Sequence, residues 1–85
     1  MRGKRDLTEA SIVAALQKAG CVVWYAEKEP YDLVVSRAGA NYLIEVKNAA
    51  GRNRMTEAQR AFQAQWAGPY AVVHTPAQAL RAVGL

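Results

Sequence analysis

Cysteine and histidine are nearly absent from this sequence of 85 residues, which contains one of each, Cys21 and His74. A single cysteine cannot form an internal disulfide. Because Cys21 opens the apolar run CVVWY, we expect it to be a small core residue in a reducing compartment. One cysteine and one histidine do not make a zinc site, and no serine is placed to form a catalytic triad with His74, which we interpret as structural. Any chemistry must therefore come from other residue types.

Long apolar runs and glycine-rich phosphate-binding loops are also missing. No run approaches the roughly 18 apolar residues of a membrane span, and the basic start MRGKR is not followed by the apolar stretch of a signal peptide. We therefore expect a cytoplasmic protein, or one that acts in the cytoplasm of its host if a phage encodes it. No membrane partner and no small-molecule cofactor are expected.

The composition is that of a folded protein, with 52% hydrophobic and 21% charged residues. We expect a single domain over residues 1–85. A chain of this length buries roughly 60–65% of its unfolded surface, so its stability should be modest. Eleven Lys and Arg residues against seven Asp and Glu residues give a net charge of +4. This excess suits a polyanionic partner without requiring one.

Helix and strand signals alternate along the chain. DLTEASIVAALQKAG predicts a helix, with Asp6 and Glu9 in a capping box and Gly20 as its stop. The later elements are a strand at Cys21–Tyr25, hairpin strands at about Tyr31–Arg37 and Asn41–Asn48, a helix in TEAQRAFQAQWAG with Thr56 and Gln59 as a second capping box, a strand at Tyr70–His74, and a helix from Pro76. The order αβββαβα predicts an α/β fold with a mixed central sheet flanked by helices.

The second hairpin strand carries charged residues in a run that otherwise looks buried. Alternation along the strand places Leu43, Glu45 and Lys47 on one face. If Ala38 and Gly39 form a two-residue turn, Asp32 lies directly opposite Glu45, with the side-chain roots roughly 5 Å apart. The two carboxylates and the ammonium would then share a face of the sheet.

Two carboxylates in direct opposition repel each other unless a cation lies between them. Oxygen ligands at about 2.1 Å, completed by water and phosphate, describe a magnesium site, and Lys47 would add positive charge where a phosphodiester sits. The spacing leaves open a second interpretation. In it, Asp32 caps a turn, and Glu45 and Lys47 form an ordinary surface pair on an exposed edge.

The pattern PYD, twelve residues, then EVK, within this order of elements, resembles the PD-(D/E)XK nuclease superfamily. Within it, the chain is most similar to the small stand-alone VRR-Nuc domains and the archaeal-type Holliday junction resolvases. The resemblance covers nearly the whole chain and implies a restriction endonuclease-like αβββαβ(α) core. The first acid follows Tyr31, with Pro30 one place early. With no appended specificity domain, we expect structure-selective cutting, at junctions, flaps or nicks, or nonspecific cutting.

Carried over residue by residue, the resemblance makes Asp32 and Glu45 the metal-binding acids and adds the backbone carbonyl of Val46 to the metal shell. Lys47 matches the lysine that positions or activates the attacking water. The cofactor implied is Mg²⁺, for which Mn²⁺ may substitute. All four residues fall within the hairpin.

Two residues on helices extend the implied site. Glu9 matches an additional acid that resolvase-like nucleases place near the metal, and Gln59 matches a glutamine that supports the catalytic site in VRR-Nuc-like members. Both are also explained as the third helical residues of capping boxes. The two uses are compatible, because a side chain in the first turn of a helix can cap the helix and still face a neighbouring site.

Basic residues at the start of the chain and around the loop GRNR are expected to contact DNA phosphates, and those of the loop should flank the cut. They are Arg2, Lys4, Arg5, Arg52, Arg54 and Arg60. A solvated, non-binding loop is the alternative for these residues.

The sequence thus supports two hypotheses: a magnesium-dependent endonuclease acting on DNA, and a nucleic-acid-binding module that has a nuclease fold but no turnover. We also expect a homodimer, because apolar residues are many for a domain of this size. Trp24 and Trp66 are expected to be core residues or interface anchors first, with the core preferred. The self-complementary patch is expected on the second helix or the closing segment, with candidates among Trp24, Phe62, Trp66, Val72 and Leu80.

Overall fold

Three helices and four strands make up the computed structural model, which describes residues 7–26, 30–47 and 56–85. They are α1 (Leu7–Lys18), β1 (Val22–Tyr25), β2 (Leu33–Arg37), β3 (Ala40–Val46), α2 (Glu57–Gln65), β4 (Tyr70–Val73) and α3 (Pro76–Ala82). The predicted order αβββαβα is confirmed. None of these helices is long and apolar enough to cross a membrane.

The strands form one mixed sheet in the order β1-β2-β3-β4. β1, β2 and β3 are joined antiparallel, and β4 runs parallel to β3. The parallel pairing is possible because α2 lies between β3 and β4 in the chain, as a crossover connection requires. The predicted mixed α/β architecture is therefore confirmed.

The hairpin of β2 and β3 has the predicted register. Arg37 pairs with Ala40 and Leu33 pairs with Ile44, so the loop contains two residues. Both of them, Ala38 and Gly39, have positive φ values of 51° and 84°. Positive φ at both positions is typical of a type I′ turn, whose twist matches that of the flanking strands.

The core lies on one face of the sheet. On α1, the buried residues Ile12, Val13 and Leu16 follow the spacing of a single helical face. They pack with the sheet and with α3 in one cluster: Ile12, Val13, Leu16, Cys21, Leu33, Val35, Ile44, Val73, Ala79 and Val83. Cys21 is buried, as predicted.

The other face of the sheet is open at the β1 end. Trp24 alternates with Val23, which packs against the core, and the Trp24 side chain is 71% exposed. Trp66 is 44% exposed. The prediction that both tryptophans are core residues is wrong. The reason is that α1 and α3 cover the same face of the sheet, while Trp66 follows the last turn of α2.

Several element boundaries also differ from the prediction: β1 begins at Val22, β2 at Leu33 and β3 at Ala40, and β4 ends at Val73. α2 ends at Gln65 and not near Gly68, because Trp66 adopts an extended conformation at the C-cap. β3 ends at Val46, and Asn48, its predicted last residue, lies outside the described residues. Asp6, the predicted cap of α1, lies outside them too.

The turn offers a direct test of the hairpin geometry. Ala38→Asn is expected to raise the free energy of unfolding by about 0.5–1 kcal/mol, because asparagine tolerates positive φ better than alanine. Gly39→Ala is the matched control. No atom lies within 4 Å of the Cβ that this substitution adds. It should therefore lower the free energy of unfolding by about 1 kcal/mol through backbone strain alone. Urea denaturation measures both values, and changes of the same sign would contradict the turn assignment.

Candidate active site

The two acids of the hairpin meet at the end of β2 and β3. The paired register of β2 and β3 ends at Leu33 and Ile44, and the backbone N–H of Asp32 donates a 2.9 Å hydrogen bond to the carbonyl of Ile44, the residue before Glu45. Both side chains are buried, with 3% of Asp32 and 5% of Glu45 exposed. Asp32 Oδ2 accepts a hydrogen bond of 2.8 Å from the backbone N–H of Val46, which ties this carboxylate to β3. The Asp32 carboxylate is a charged neighbour that raises the pKa of Glu45, so the two acids lie close together, whereas their direct opposition across the hairpin stays a prediction.

Lys47 joins this pair from the residue that follows β3. Its Nζ lies 3.1 Å from Glu45 Oε2, and it donates a 3.1 Å hydrogen bond to Gln59 Oε1. Its backbone N–H donates to the carbonyl of Val73 on β4, which holds the residue against the sheet. The three charged groups of the hairpin therefore form one cluster, and the interpretation of Glu45 and Lys47 as an exposed edge pair is wrong.

Gln59 links α2 to the cluster. Thr56 and Gln59 form the predicted capping box, in which each side chain accepts a hydrogen bond from the other's backbone N–H. The same Oε1 that caps the helix also receives Lys47 Nζ. Capping α2 and holding the lysine are thus compatible, as predicted, and the first turn of α2 is fixed beside the acids.

The surroundings of Glu45 disfavour the charged form of its carboxyl group. Burial and then the neighbouring Asp32 carboxylate raise the pKa of Glu45 above its ordinary value of 4.5, against the opposing effects of Lys47 and Gln59. With all three groups ionised, Asp32, Glu45 and Lys47 carry one net negative charge. Lys47 offsets only part of the cost of burying two carboxylates.

The donor set fits a hard divalent cation. Glu45 Oε1 is buried and accepts no hydrogen bond from the described residues, and the buried Asp32 carboxylate lies beside it. Such an oxygen costs about 1–3 kcal/mol of desolvation when no donor faces it. Mg²⁺ binds carboxylate oxygens and commonly keeps water and phosphate as its other ligands.

Tyr70 is a site residue that the sequence analysis missed. It opens β4 beside Leu43, and its Oη donates a 3.0 Å hydrogen bond to the carbonyl of Pro30, two residues before Asp32. Burial, together with the nearby Glu45 and Asp32 carboxylates, raises the pKa of Tyr70 to about 12. No local signal marked this residue, because its proximity depends on the pairing of β4 with β3.

Tyr70→Phe tests whether this hydrogen bond positions Asp32. We expect a loss of about 0.5–1.5 kcal/mol in the free energy of unfolding, the usual net contribution of one hydrogen bond. Mg²⁺ binding should weaken by about tenfold, because the segment before Asp32 loses its anchor. Urea denaturation and calorimetric titration measure the two effects. A stability loss with unchanged Mg²⁺ affinity would show that Tyr70 supports the fold alone.

Of the remaining predicted site residues, the structure describes Glu9 and Arg60. Glu9 is buried on the core-facing side of α1. In the described ranges, no group of three or more Asp, Glu, His or Cys side chains could hold one metal ion. Glu9 as a third ligand therefore stays a prediction. Arg60 is exposed on α2, next to Gln59. Arg2, Lys4, Arg5, Arg52 and Arg54 lie outside the described residues.

The raised pKa of Glu45 predicts a pH dependence of stability in chelator. Between 4.5 and the raised pKa the folded protein binds more protons than the unfolded chain, so the free energy of unfolding falls as pH rises through that window. Urea denaturation of wild type and Glu45→Gln across this range isolates the contribution of Glu45. As pH rises, the free energy of unfolding of Glu45→Gln should increase relative to that of wild type. A difference independent of pH would contradict the burial of an ionisable pair.

Comparison of the chain with models of known protein families finds no match, and neither the curated proteins nor the solved structures include one that matches.

Proposed function

We propose that this protein is a magnesium-dependent endonuclease that hydrolyses DNA phosphodiester bonds, of the PD-(D/E)XK type. The observation that carries the proposal is the buried pair of Asp32 and Glu45 at one end of the hairpin, with Asp32 bonded to the backbone of Val46 and Lys47 paired with Glu45. Burying two carboxylates, with a Glu45 oxygen that accepts no hydrogen bond within the described part of the chain, lowers stability, which is typical of a site kept for function. The order αβββαβα suits the restriction endonuclease-like core that the resemblance implies.

Each residue of the candidate site has a separate role in the proposed hydrolysis. Asp32 and Glu45 hold the cation, with the Val46 carbonyl as a further candidate ligand. When bound, Mg²⁺, or Mn²⁺ in its place, supplies Lewis-acid activation of water and phosphate. The Lys47 ammonium stabilises negative charge that develops on the phosphate oxygens, and Gln59 orients that ammonium. Arg60, which is exposed on α2 next to Gln59 in the chain, is our candidate for a contact with the DNA backbone.

A panel of labelled DNA substrates tests this proposal. Single-stranded, duplex, nicked, flapped and four-way-junction DNA are incubated with the protein in Mg²⁺, Mn²⁺ or chelator. We expect cleavage that requires the divalent ion and favours a branched, nicked or unpaired substrate. Cleavage in chelator would contradict the metal mechanism. Binding without cleavage of any substrate would favour the second candidate, a nucleic-acid-binding module without turnover.

We further propose that the protein is a homodimer, with a contact surface different from the one predicted. Leu80 packs against the core, whereas β1, an edge strand of the described sheet, exposes Val22, Trp24 and Tyr25. β1 carries no charged residue or proline, which are the usual protections of a free edge. Two copies of such an edge are self-complementary about a two-fold axis.

Sedimentation tests the dimer. Wild type is expected to sediment as a dimer at tens of micromolar, and Trp24→Lys as a monomer, because a charge on the edge strand opposes pairing. Arg81→Glu, an exposed change on α3, is the control and should leave the dimer intact. A wild-type monomer of 9.3 kDa would contradict the proposal.

A further inference from the structure

Four aromatic rings extend outward from the acidic pair. Phe62 lies at their centre, with ring-centroid distances of 5.5 Å to Tyr31, 5.4 Å to Trp66 and 5.5 Å to Tyr70. Tyr31 precedes Asp32 in the chain, and Tyr70 is anchored to Pro30. This aromatic cluster extends from the site to Trp66.

Trp66 is held in one orientation although it is exposed. Its ring stacks on Phe62 with an interplanar angle of 18°, and its Nε1–H donates a 3.2 Å hydrogen bond to the carbonyl of Pro69. Gly68 lies so close to the indole that an added Cβ would come within 3.0 Å of it. The Trp66 indole is held by a ring, a hydrogen bond and a close glycine, and with 44% of the residue exposed it presents part of its apolar surface to solvent in a fixed orientation.

The distance from this surface to the catalytic groups suits a neighbouring nucleotide. Gln59 contacts Lys47, and Trp66 lies seven residues further along the same segment. At 1.5 Å per residue in a helix, this separation is about 10 Å along the axis of α2. A strand whose phosphate lies at the acids would therefore have a base within reach of Trp66 a few nucleotides away.

We propose that Trp66 is a stacking platform for an unpaired base of the DNA strand that enters the site, an inference that rests on the proposed nuclease function. An aromatic surface stacks on any base whose face is free, so recognition is tolerant of sequence. Bases within a duplex have both faces covered by their neighbours. The platform therefore selects single-stranded, flapped or frayed DNA over continuous duplex. The net charge of +4 supplies the attraction for the strand itself.

Fluorescence tests the contact directly, because the chain has two tryptophans. In Trp24→Phe, Trp66 is the one indole left. Titration of this variant with oligothymidylate in chelator, where cleavage does not occur, should quench its emission by stacking. Blunt duplex DNA of equal length should quench it far less. Equal quenching by both ligands, or none with oligothymidylate, would overturn the proposal.

Anisotropy with labelled DNA in chelator gives the matching affinities. Trp66→Ala is expected to weaken binding of oligothymidylate about 5- to 100-fold and binding of blunt duplex by less than about twofold. Trp66→Phe, which keeps a ring on Phe62, should recover most of the loss, and Trp24→Phe, which keeps an aromatic ring on the β1 edge, should bind as wild type does. Equal losses on both DNAs would indicate misfolding or a broken dimer and would overturn the platform.

The failure of this proposal and that of the nuclease have different signatures. A protein that cleaves DNA, but whose affinity for oligothymidylate is unchanged in Trp66→Ala, has the nuclease site without the platform. A protein that binds oligothymidylate through Trp66, but cleaves no DNA in Mg²⁺ or Mn²⁺, has the platform without the nuclease.

Discussion

Glu45→Gln is expected to abolish metal-dependent cleavage, with a loss of at least about a hundredfold in rate, while stabilising the protein in chelator. Glutamine has nearly the shape of the protonated carboxyl but cannot carry its charge. The gain in the free energy of unfolding should be about 0.5–2 kcal/mol at neutral pH, the range commonly found when an unfavourable group is removed.

The two opposite effects have one physical cause. Burial and the neighbouring Asp32 make the charged form of Glu45 unfavourable, and they do so more strongly than Lys47 and Gln59 favour it, because the net effect is a raised pKa. A neutral side chain removes this penalty, but it also removes the charge that attracts a cation. The loss of function and the gain in stability should therefore appear together in one variant.

Cleavage rates and urea denaturation with and without Mg²⁺ measure these effects. Glu57→Gln is the matched control, since Glu57 is an exposed acid in the first turn of α2. That change should alter stability by a few tenths of a kcal/mol and leave cleavage intact. Full activity of Glu45→Gln with Mg²⁺ would remove Glu45 from the site.

Lys47→Ala is expected to lower turnover by about 10²–10³-fold while changing Mg²⁺ affinity by less than about threefold. Lys47 cannot ligate a metal while it is protonated, so its contribution is to charge that develops in the reaction. The substitution also frees Glu45 Oε2 from its 3.1 Å ion pair with Lys47. The freed oxygen is then available to Mg²⁺, which offsets part of any loss in Mg²⁺ affinity.

Steady-state cleavage and calorimetric titration of Mg²⁺ separate the two roles of the lysine. Lys18→Ala, an exposed change in the last turn of α1, is the control for loss of one positive charge and should leave turnover nearly unchanged. Equal losses of turnover and Mg²⁺ affinity in Lys47→Ala would show that the lysine holds the site together and does not assist the reaction.

The parts that could be predicted from sequence are those set by short-range geometry. A two-residue turn at Ala38 and Gly39 determines the register, and the register pairs Leu33, the residue after Asp32, with Ile44, the residue before Glu45. The capping box of Thr56 and Gln59 was likewise a local pattern. What each element does alone, or with its nearest neighbour in the chain, can be read from the spacing of its residues.

The parts that could not be predicted depend on how distant elements pack. Periodicity shows that Trp24 has an apolar neighbour on each side, but it does not show that α1 and α3 both cover the opposite face of the sheet. Tyr70 reaches Pro30 across 40 residues of sequence because β4 pairs with β3, and no local pattern contains that information. The exposed position of Trp66 follows from the early end of α2 at Gln65.

Calorimetric titration of Mg²⁺ into wild type and Glu45→Gln, in two buffers of different ionisation enthalpy, tests the central claim most directly. If Asp32 and Glu45 hold the ion, wild type binds Mg²⁺ more weakly as pH falls and releases protons on binding, because the ion competes with the proton of a carboxyl whose pKa is raised. Glu45→Gln should show no binding at the same concentrations. Equal Mg²⁺ binding by the two proteins would contradict the account.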